Sequence, residues 1–316
     1  MKIAVLVPCY NEEMTVEKVV LDFKKALPEA KIYVYDNNSN DLTAERALSA
    51  GAIVRRESKQ GKGNVVRSMF RDIDADYYVL VDGDDTYPAD EARNMIDVAI
   101  SEQADMIIGD RLSNGTYIKE NKRNFHRFGN KLVQTLVNKI FGSDIHDIMT
   151  GYRVFSRRFV KVFPILSEGF QIETEMTVFA LNNKMKIKEV PITYRDRPEG
   201  SFSKLNTIRD GIRVLTIISS LFKHTQPMMF FGGISLIFAT AMLIVGIPVI
   251  VEFLLTHYIT LVPSAILASG LAVLSVLFFV VALILDSMAY YEKIHFQRDL
   301  NRFEYHELIR SEEKDA

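Results

Sequence analysis

The 316-residue chain has no tryptophan and a single cysteine, Cys9, set in an apolar run. One thiol makes no internal disulfide, so it points to a reducing compartment and favours Cys9 as a small buried filler over a catalytic thiol. Neither sign of charge is in excess. The 38 Lys and Arg against 40 Asp and Glu leave a net charge of −2 at pH 7, which argues against a general nucleic-acid binder. The amino terminus, MKIAVLVPCYNEE, lacks the cleavage pattern of a signal peptide and reads as a first strand. Internal repeats and low-complexity linkers are also missing.

Charge is absent altogether from two long windows, between Lys223 and Glu252 and between Glu252 and Asp286. A membrane span needs about 20 apolar residues, and each window exceeds that. Two transmembrane helices are expected, near Pro227–Phe253 and Pro263–Asp286. The link between them carries no Lys or Arg, whereas Arg209, Arg213 and Lys223 precede the hairpin and Lys293, Arg298 and Arg302 follow it. That asymmetry places both termini and the preceding domain in the cytoplasm. Just upstream, Leu205, Ile208, Ile212 and Leu215 recur at helical spacing beside Arg209 and Arg213. They suit an interfacial amphipathic helix over 204–225 or, equally, a core helix. The C-terminal RSEEKDA is expected to be a solvated tail.

Residues 1–203 alternate short apolar strands with helical stretches. Strands are expected at Ile3–Val7, Ile32–Tyr35, Ala52–Arg55, Tyr77–Val81 and Met106–Ile108, with helices at Met14–Leu27, Leu42–Ala50, Gly63–Ile73 and Asp90–Ser101. The pattern is that of an α/β domain with a Rossmann-like, mostly parallel sheet, in which ligands sit at the carboxyl ends of strands. Three polar clusters fall at such ends: Asn11-Glu12-Glu13, Asp36-Asn37-Asn38 and Asp82-Gly83-Asp84-Asp85.

Asp82 and Asp84 are alternate residues at a strand end and point the same way, so they suit one hard divalent cation, Mg2+ or Mn2+, shared with a substrate diphosphate. An acidic turn ahead of the next helix is the plainer reading. Asp36 and Asn38 are placed to hydrogen-bond a base or ribose, while Ser39, Asp41 and Thr43 are expected to cap the following helix. Lys62, between two glycines in QGKGNVVR, offers a point charge to a phosphate, although the Walker A spacing is absent and a simple glycine turn is the alternative. Lys122, Arg123, Arg157 and Arg158 read as solvated faces. Glu173 and Glu175 either border the donor site or lie on a helix. His126 and His146 lack metal-ligand spacing.

The order VPCYNEE, DNNSND, GKGNVVR, VDGDD resembles the family 2 inverting glycosyltransferases of GT-A fold. The later stretches IIGDRL, FHRFGNKL, DIMTGYRVFSRR and IKEVPITYRDRPEGSFSKL, followed by a hairpin, are similar to the polyisoprenyl-phosphate glycosyltransferases. The resemblance implies that Pro8, Tyr10, Glu12, Asp36, Asn38 and Lys62 hold the nucleotide, and that Asp82 and Asp84 serve the metal and diphosphate. Arg111, Arg127 and Lys131 fall where a lipid phosphate is gripped. Arg197, Ser203 and Lys204 match a loop that closes on phosphates, although the segment between Gly200 and Ser203 is one residue longer here. Asp147 and Gly151 match a turn near the donor. Where many relatives place Gln two residues after the second Asp, this chain has Thr86, so Thr86, Asp85 or water is left to complete the metal shell.

What the resemblance implies is inverting sugar transfer from a nucleotide-diphosphate sugar, with UDP-glucose or UDP-N-acetylglucosamine favoured and GDP-mannose the alternative, to a polyprenyl phosphate at a lipid bilayer. Asp84, Asp147, Arg111 and Arg127 are the expected catalytic set, and a homo-oligomer is open. A processive polysaccharide synthase shares the core but relies on a Gln-x-x-Arg-Trp motif, which a chain without tryptophan cannot carry. A non-catalytic membrane scaffold is opposed by the intact Asp82/Asp84 pair and basic set.

Overall fold

A computed structural model describes residues 1–113, 124–169, 171–196, 219, 220, 222, 223 and 225–315, with backbone alone for 124–130 and 310–315. The first strands and helices alternate in chain order: β1 (Ile3–Cys9), α1 (Val16–Ala26), β2 (Lys31–Asp36), α2 (Thr43–Ser49), β3 (Ile53–Arg56), α3 (Lys62–Asp72), β4 (Tyr77–Leu80), α4 (Glu91–Ser101) and β5 (Met106–Asp110). The periodic apolar stretches therefore lie where the pattern places them, with no end shifted by more than two residues. Then come α5 (Asn124–Phe141), β6 (Arg153–Ser156), α6 (Arg157–Val162), α7 (Ile172–Asn182) and β7 (Ile187–Pro191).

The seven strands form one sheet in the order β3-β2-β1-β4-β6-β5-β7. All neighbouring pairs are parallel except those of β6, which runs antiparallel to both β4 and β5. Parallel pairing brings the carboxyl ends of β1, β2 and β4 to one edge, where the three polar clusters emerge. Val5, Val7, Val34, Val79, Val81 and Val154 are fully buried and pack with Val20, Phe23, Met95 and Ile96 from the helices. Cys9 is buried at the end of β1, as expected of a filler.

β6 has no counterpart among the expected strands. It is four residues long and opens on Arg153, a charged residue with no accessible surface, so neither length nor periodicity marks it. The Arg153 guanidinium spends its donors on the preceding turn and on α7: Nε to Thr150 O (3.1 Å), Nη2 to Ile148 O (2.5 Å) and Nη1 to Thr177 Oγ1 (2.9 Å). It thus ties the 148–150 turn to the sheet. Burial lowers its pKa to about 10.

Contacts divide the chain into two compact units, 1–217 with 299–316, and 218–298. The second unit contains α8 (Pro227–Thr256) and the first part of α9 (Val262–Asp315). Both helices are long and apolar enough to cross a membrane, and at 1.5 Å per residue 30 residues reach about 45 Å. Their large apolar side chains mostly face outward, Ile244 and Leu255 being 70% and 78% exposed, as lipid-facing residues are. Between them Ser235 Oγ donates to Ser275 O (2.8 Å), Ser275 Oγ returns a bond to Ser235 O (3.0 Å), and the Phe238 and Phe278 rings stack at 5.5 Å. Small polar residues of this kind join helices where water is absent.

The helix that contains the second expected span, Pro263–Asp286, continues to Asp315, because no Gly or Pro interrupts the chain from 286 to 315. Arg157 and Arg158 are not solvated faces. Arg157 pairs with Asp74 and, at 2.9 Å, with Glu307, while Arg158 lies 3.6 Å from Glu304 and 3.8 Å from Asp105. These pairs lie within the first unit, which includes the end of α9. The expected amphipathic stretch falls almost wholly outside the described residues.

Candidate functional site

The loops after β1, β2 and β4 each contain a non-glycine residue in the left-handed region: Asn11 (φ 53°), Asn38 (φ 63°) and Asp85 (φ 59°). Asn and Asp tolerate this conformation, and three such residues at three strand ends mark tightly constrained loops. The first two loops are laced together. Asn11 N donates to Ser39 Oγ (2.9 Å), Glu12 N to Thr43 Oγ1 (2.8 Å), Glu13 N to Asp41 Oδ2 (3.2 Å), and Asn40 N to Asn11 Oδ1 (2.9 Å). Ser39, Asp41 and Thr43 therefore join the two loops, and Asp41 Oδ1 also accepts the first N–H of α2, from Thr43 (3.0 Å), so the expected capping falls to Asp41 while Leu42, the residue before α2, makes no side-chain cap. Asp36, 6% exposed, accepts from Ser39 N, and Asn38 donates to Ser58 O. Pro8 lies in β1 opposite Tyr35, and Tyr10 and Glu12 follow half-buried.

The run Asp82-Gly83-Asp84-Asp85 separates into three roles. Asp85, in its left-handed conformation, swings to Lys18 on α1 (2.7 Å) and so leaves the candidate metal ligands. Asp84 Oδ1 accepts from Thr86 Oγ1 (2.7 Å) and Thr86 N (3.3 Å), so Thr86 orients this carboxylate. Asp82 Oδ1 receives the Lys62 ammonium at 2.5 Å, and the same ammonium reaches Glu173 Oε1 on α7 at 2.5 Å. Burial alone would lower the Lys62 pKa, but the two carboxylates outweigh it and hold the ammonium above its ordinary value. The flanking glycines explain how Lys62 gets there. A Cβ on Gly63 would stand 2.0 Å from Ser167 O, and one on Gly61 2.1 Å from Glu168 O. Close approach is thus to the 167–168 backbone, which fixes the start of α3.

On the other side of Asp82 lies Gly151. A Cβ there would be 2.4 Å from Asp82 Oδ2 and 3.1 Å from Lys62 Nζ, so only glycine leaves this carboxylate in place. Gly151 N donates to the Tyr87 hydroxyl (3.1 Å), which also receives Arg111 Nη1 (3.3 Å). Burial pushes the Tyr87 phenol up to about 12, against the pull of the Arg111 guanidinium, and keeps it neutral. Arg111, 8% exposed, follows β5 and is forked onto Asp147: Nε to Oδ2 at 2.6 Å, Nη2 to Oδ1 at 2.9 Å, with its own N–H on Oδ2 at 3.2 Å. Its guanidinium lies 5.6 Å from the Tyr194 ring centroid. Direct contacts therefore run from Lys62 and Asp82 through Gly151 and Tyr87 to Arg111 and Asp147.

The remaining expected residues are placed as follows. Lys131 is exposed on α5, which also contains Arg127, whose side chain lies outside the described residues together with Arg197, Ser203 and Lys204. Glu173 belongs to the charged cluster, whereas Glu175 accepts the backbone N–H groups of Leu166 and Ser167. Tyr87, Tyr194, Arg153 and Glu189 are further members of the site and its support that motif reading does not find. Glu189 and Tyr194 had a signal in the IKEVPITYRDR stretch, and Arg153 in DIMTGYRVFSRR. The donor set at the strand end, Asp84 with Asp82 Oδ2, consists of hard carboxylate oxygens and fits Mg2+ or Mn2+, with Lys62 already covering the other Asp82 oxygen.

A family model described as "Glycosyl transferase family 2" matches residues 4–163. The chain is 37% identical over 236 residues to glycosyltransferase AglJ of Haloferax volcanii, covering 73% of this chain and 76% of that protein. It is 30% identical over 195 residues to a dolichyl-phosphate hexose transferase of the same organism, covering 62% and 83%. A crystal structure of Mycobacterium tuberculosis glucosyl-3-phosphoglycerate synthase with Mn2+ and UDP-glucose superposes with a TM-score of 0.58 at 17% identity, covering 70% of this chain and 78% of that one. The protein belongs to glycosyl transferase family 2, and its sheet is the GT-A fold that the motifs imply.

Proposed function

We propose that the protein transfers a sugar from a nucleotide-diphosphate sugar, UDP-glucose or UDP-N-acetylglucosamine, to a polyprenyl phosphate at the cytoplasmic face of a membrane, with inversion at the anomeric carbon. The observation that carries this is the juxtaposition, through Gly151 and Tyr87, of an acid pair at a strand end with a buried arginine. Two anionic substrates need those two features side by side. A relative named for dolichyl-phosphate hexose transfer and the two membrane-length helices support the lipid acceptor.

In this reading Asp36 and the laced loops receive the nucleoside. Asp84, oriented by Thr86, and Asp82 hold the divalent cation, which when bound neutralises charge on the departing diphosphate. Lys62, pinned by Glu173, sets a fixed positive charge beside Asp82. The acceptor phosphate has its second pKa near 6 and is already ionised at neutral pH, so no protein base has to remove a proton. A phosphate oxygen forms the new bond to the anomeric carbon from the face opposite the diphosphate, whose bond to that carbon breaks. Arg111 draws the phosphate in by charge-assisted hydrogen bonds, with Arg127, Lys131, Arg197, Ser203 and Lys204 as the further acceptor set. Asp147 acts by holding Arg111, since its carboxylate is 1% exposed and filled by three Arg111 donors.

Membranes containing the protein, incubated with a panel of UDP- and GDP-sugars, a polyprenyl phosphate and Mn2+ or Mg2+, are expected to form a lipid-linked sugar with one donor. Failure with every donor by folded protein would refute the reading. Transfer from GDP-mannose alone would make it a mannose synthase.

A further inference from the structure

We infer that Glu189, on the edge strand β7, is a positioning residue for the acceptor phosphate: it clamps the turn carrying Asp147 and thereby aims Arg111. The inference rests on the assignment of Arg111 to that phosphate. Asp147 stands in an irregular segment before β6, so no helix or strand ladder directs its side chain. Glu189 supplies the missing constraint. Its Oε1 accepts His146 N at 2.8 Å and Asp147 N at 3.1 Å, and its Oε2 accepts His146 N at 3.0 Å and faces His146 Nδ1 at 2.8 Å. β7 pairs in parallel with β5, Ile108 opposite Glu189 and Asp110 opposite Pro191, so the clamp is built on the strand bonded to the one that leads into Arg111.

A second carboxylate holds the other end. Asp110 Oδ1 accepts Leu112 N (2.8 Å) and Ser113 N (3.2 Å), and its Oδ2 takes the Ser113 hydroxyl, which turns the chain as it leaves Arg111. The backbone after Arg111 and the backbone at Asp147 are therefore both anchored by acids, and the fork between the two side chains is held in one geometry. Asp110, His146 and Glu189 converge within 4.8 Å of one another. Every carboxylate oxygen of the two acids already accepts a protein donor, so their convergence needs no cation. Charge matters to the clamp as well as shape. Glutamine at 189 offers one acceptor oxygen, and its amide group would set a donor against backbone donors.

The test uses the full chain in detergent and a readout independent of turnover, the labelling of individual arginines by phenylglyoxal, followed by peptide mass spectrometry. Glu189→Gln is expected to raise the labelling rate of Arg111 about tenfold, the factor that one lost charge-assisted hydrogen bond corresponds to. Arg153, with no accessible surface, should stay unlabelled in every variant. His146→Ala keeps both backbone bonds to Glu189 and should label Arg111 within about twofold of wild type. In transfer assays Glu189→Gln should raise KM for polyprenyl phosphate about tenfold while donor KM stays within about twofold. Unchanged Arg111 labelling in Glu189→Gln overturns the inference. So does equal exposure of Arg153, which would show general loosening, or an equal rise in both KM values. If wild type transfers nothing to polyprenyl phosphate, the acceptor reading fails, and labelling alone decides whether Glu189 holds Arg111.

Discussion

Lys62 offers one positive charge to two carboxylates, and its side chain and that of Glu173 are 7% and 6% exposed, against 29% for Asp82. Lys62→Met keeps the stem and removes the charge. Glu173 is then a buried acid without its cation, a loss that costs about 3–5 kcal/mol in comparable pairs; the wetter Asp82 adds little to this. At about 2–4 °C per kcal/mol for a domain of this size, the melting temperature should fall by about 10 °C. Adding Glu173→Leu removes the stranded acid and should restore at least about 2 kcal/mol, since apolar groups often replace a buried pair without loss. Restoration will be partial because Glu173 also contributes favourable potential at Arg153. Transfer should stay low in both variants, because Asp82 has lost its fixed partner in each. The assay pairs thermal unfolding in one detergent with radiolabelled sugar transfer from the same preparation. A double variant no more stable than Lys62→Met, or one with full activity, would refute the argument.

Gly151→Ala places a methyl 2.4 Å from Asp82 Oδ2, so turnover should drop at least about tenfold with about 1–3 kcal/mol of destabilisation; normal kinetics would show that Asp82 is free to move. Asp84→Asn should abolish metal-dependent transfer and weaken Mn2+ binding, followed by electron paramagnetic resonance, while membrane insertion is unaffected. Cys9→Ser should retain turnover, and its loss without loss of fold would reinstate a thiol role. The hydrogen bond that His146 donates to Glu189 raises the pKa of His146 in the folded protein. Its contribution is therefore complete below the unfolded value of about 6.5 and is lost as pH rises through the raised folded value. The melting-temperature gap between wild type and His146→Ala should accordingly be wider at pH 6 than at pH 9, and a constant gap would count against the pair.

Up to Asp110 the fold was legible because each strand and helix declares itself through its own apolar spacing. Past that point the sheet is completed by β6, whose four residues include the buried Arg153, and by β7 at the edge with Glu189 facing the 146–147 turn. Both strands owe their place to neighbours far along the chain, and local periodicity does not record that. The site divides in the same way. The acids at strand ends were visible because parallel sheets present such ends together. Partnerships were not visible: Lys62 meets Glu173 across 111 residues, and Asp85 meets Lys18 across 67. GKG announced a close backbone approach but not that residues 167–168 would be the approaching chain.

Those long-range partners explain why three adjacent acids are tolerated at the end of β4. Asp85 takes a left-handed backbone and discharges onto Lys18, outside the cluster. Asp82 is half neutralised by Lys62, which Glu173 prevents from following it exclusively. Asp84 Oδ1 accepts from the Thr86 hydroxyl and N–H, which fixes the direction of the carboxylate that a cation would meet. Thr86 thus orients an acid through a hydroxyl. On this argument Thr86→Gln should be tolerated only if the longer side chain leaves Asp84 in place. Thr86→Val, which deletes the hydroxyl at nearly constant shape, should weaken Mn2+ binding about tenfold with little change in fold. Unchanged Mn2+ affinity in Thr86→Val would mean that the Asp84 geometry is set elsewhere, and the division of roles among the three acids would have to be redrawn.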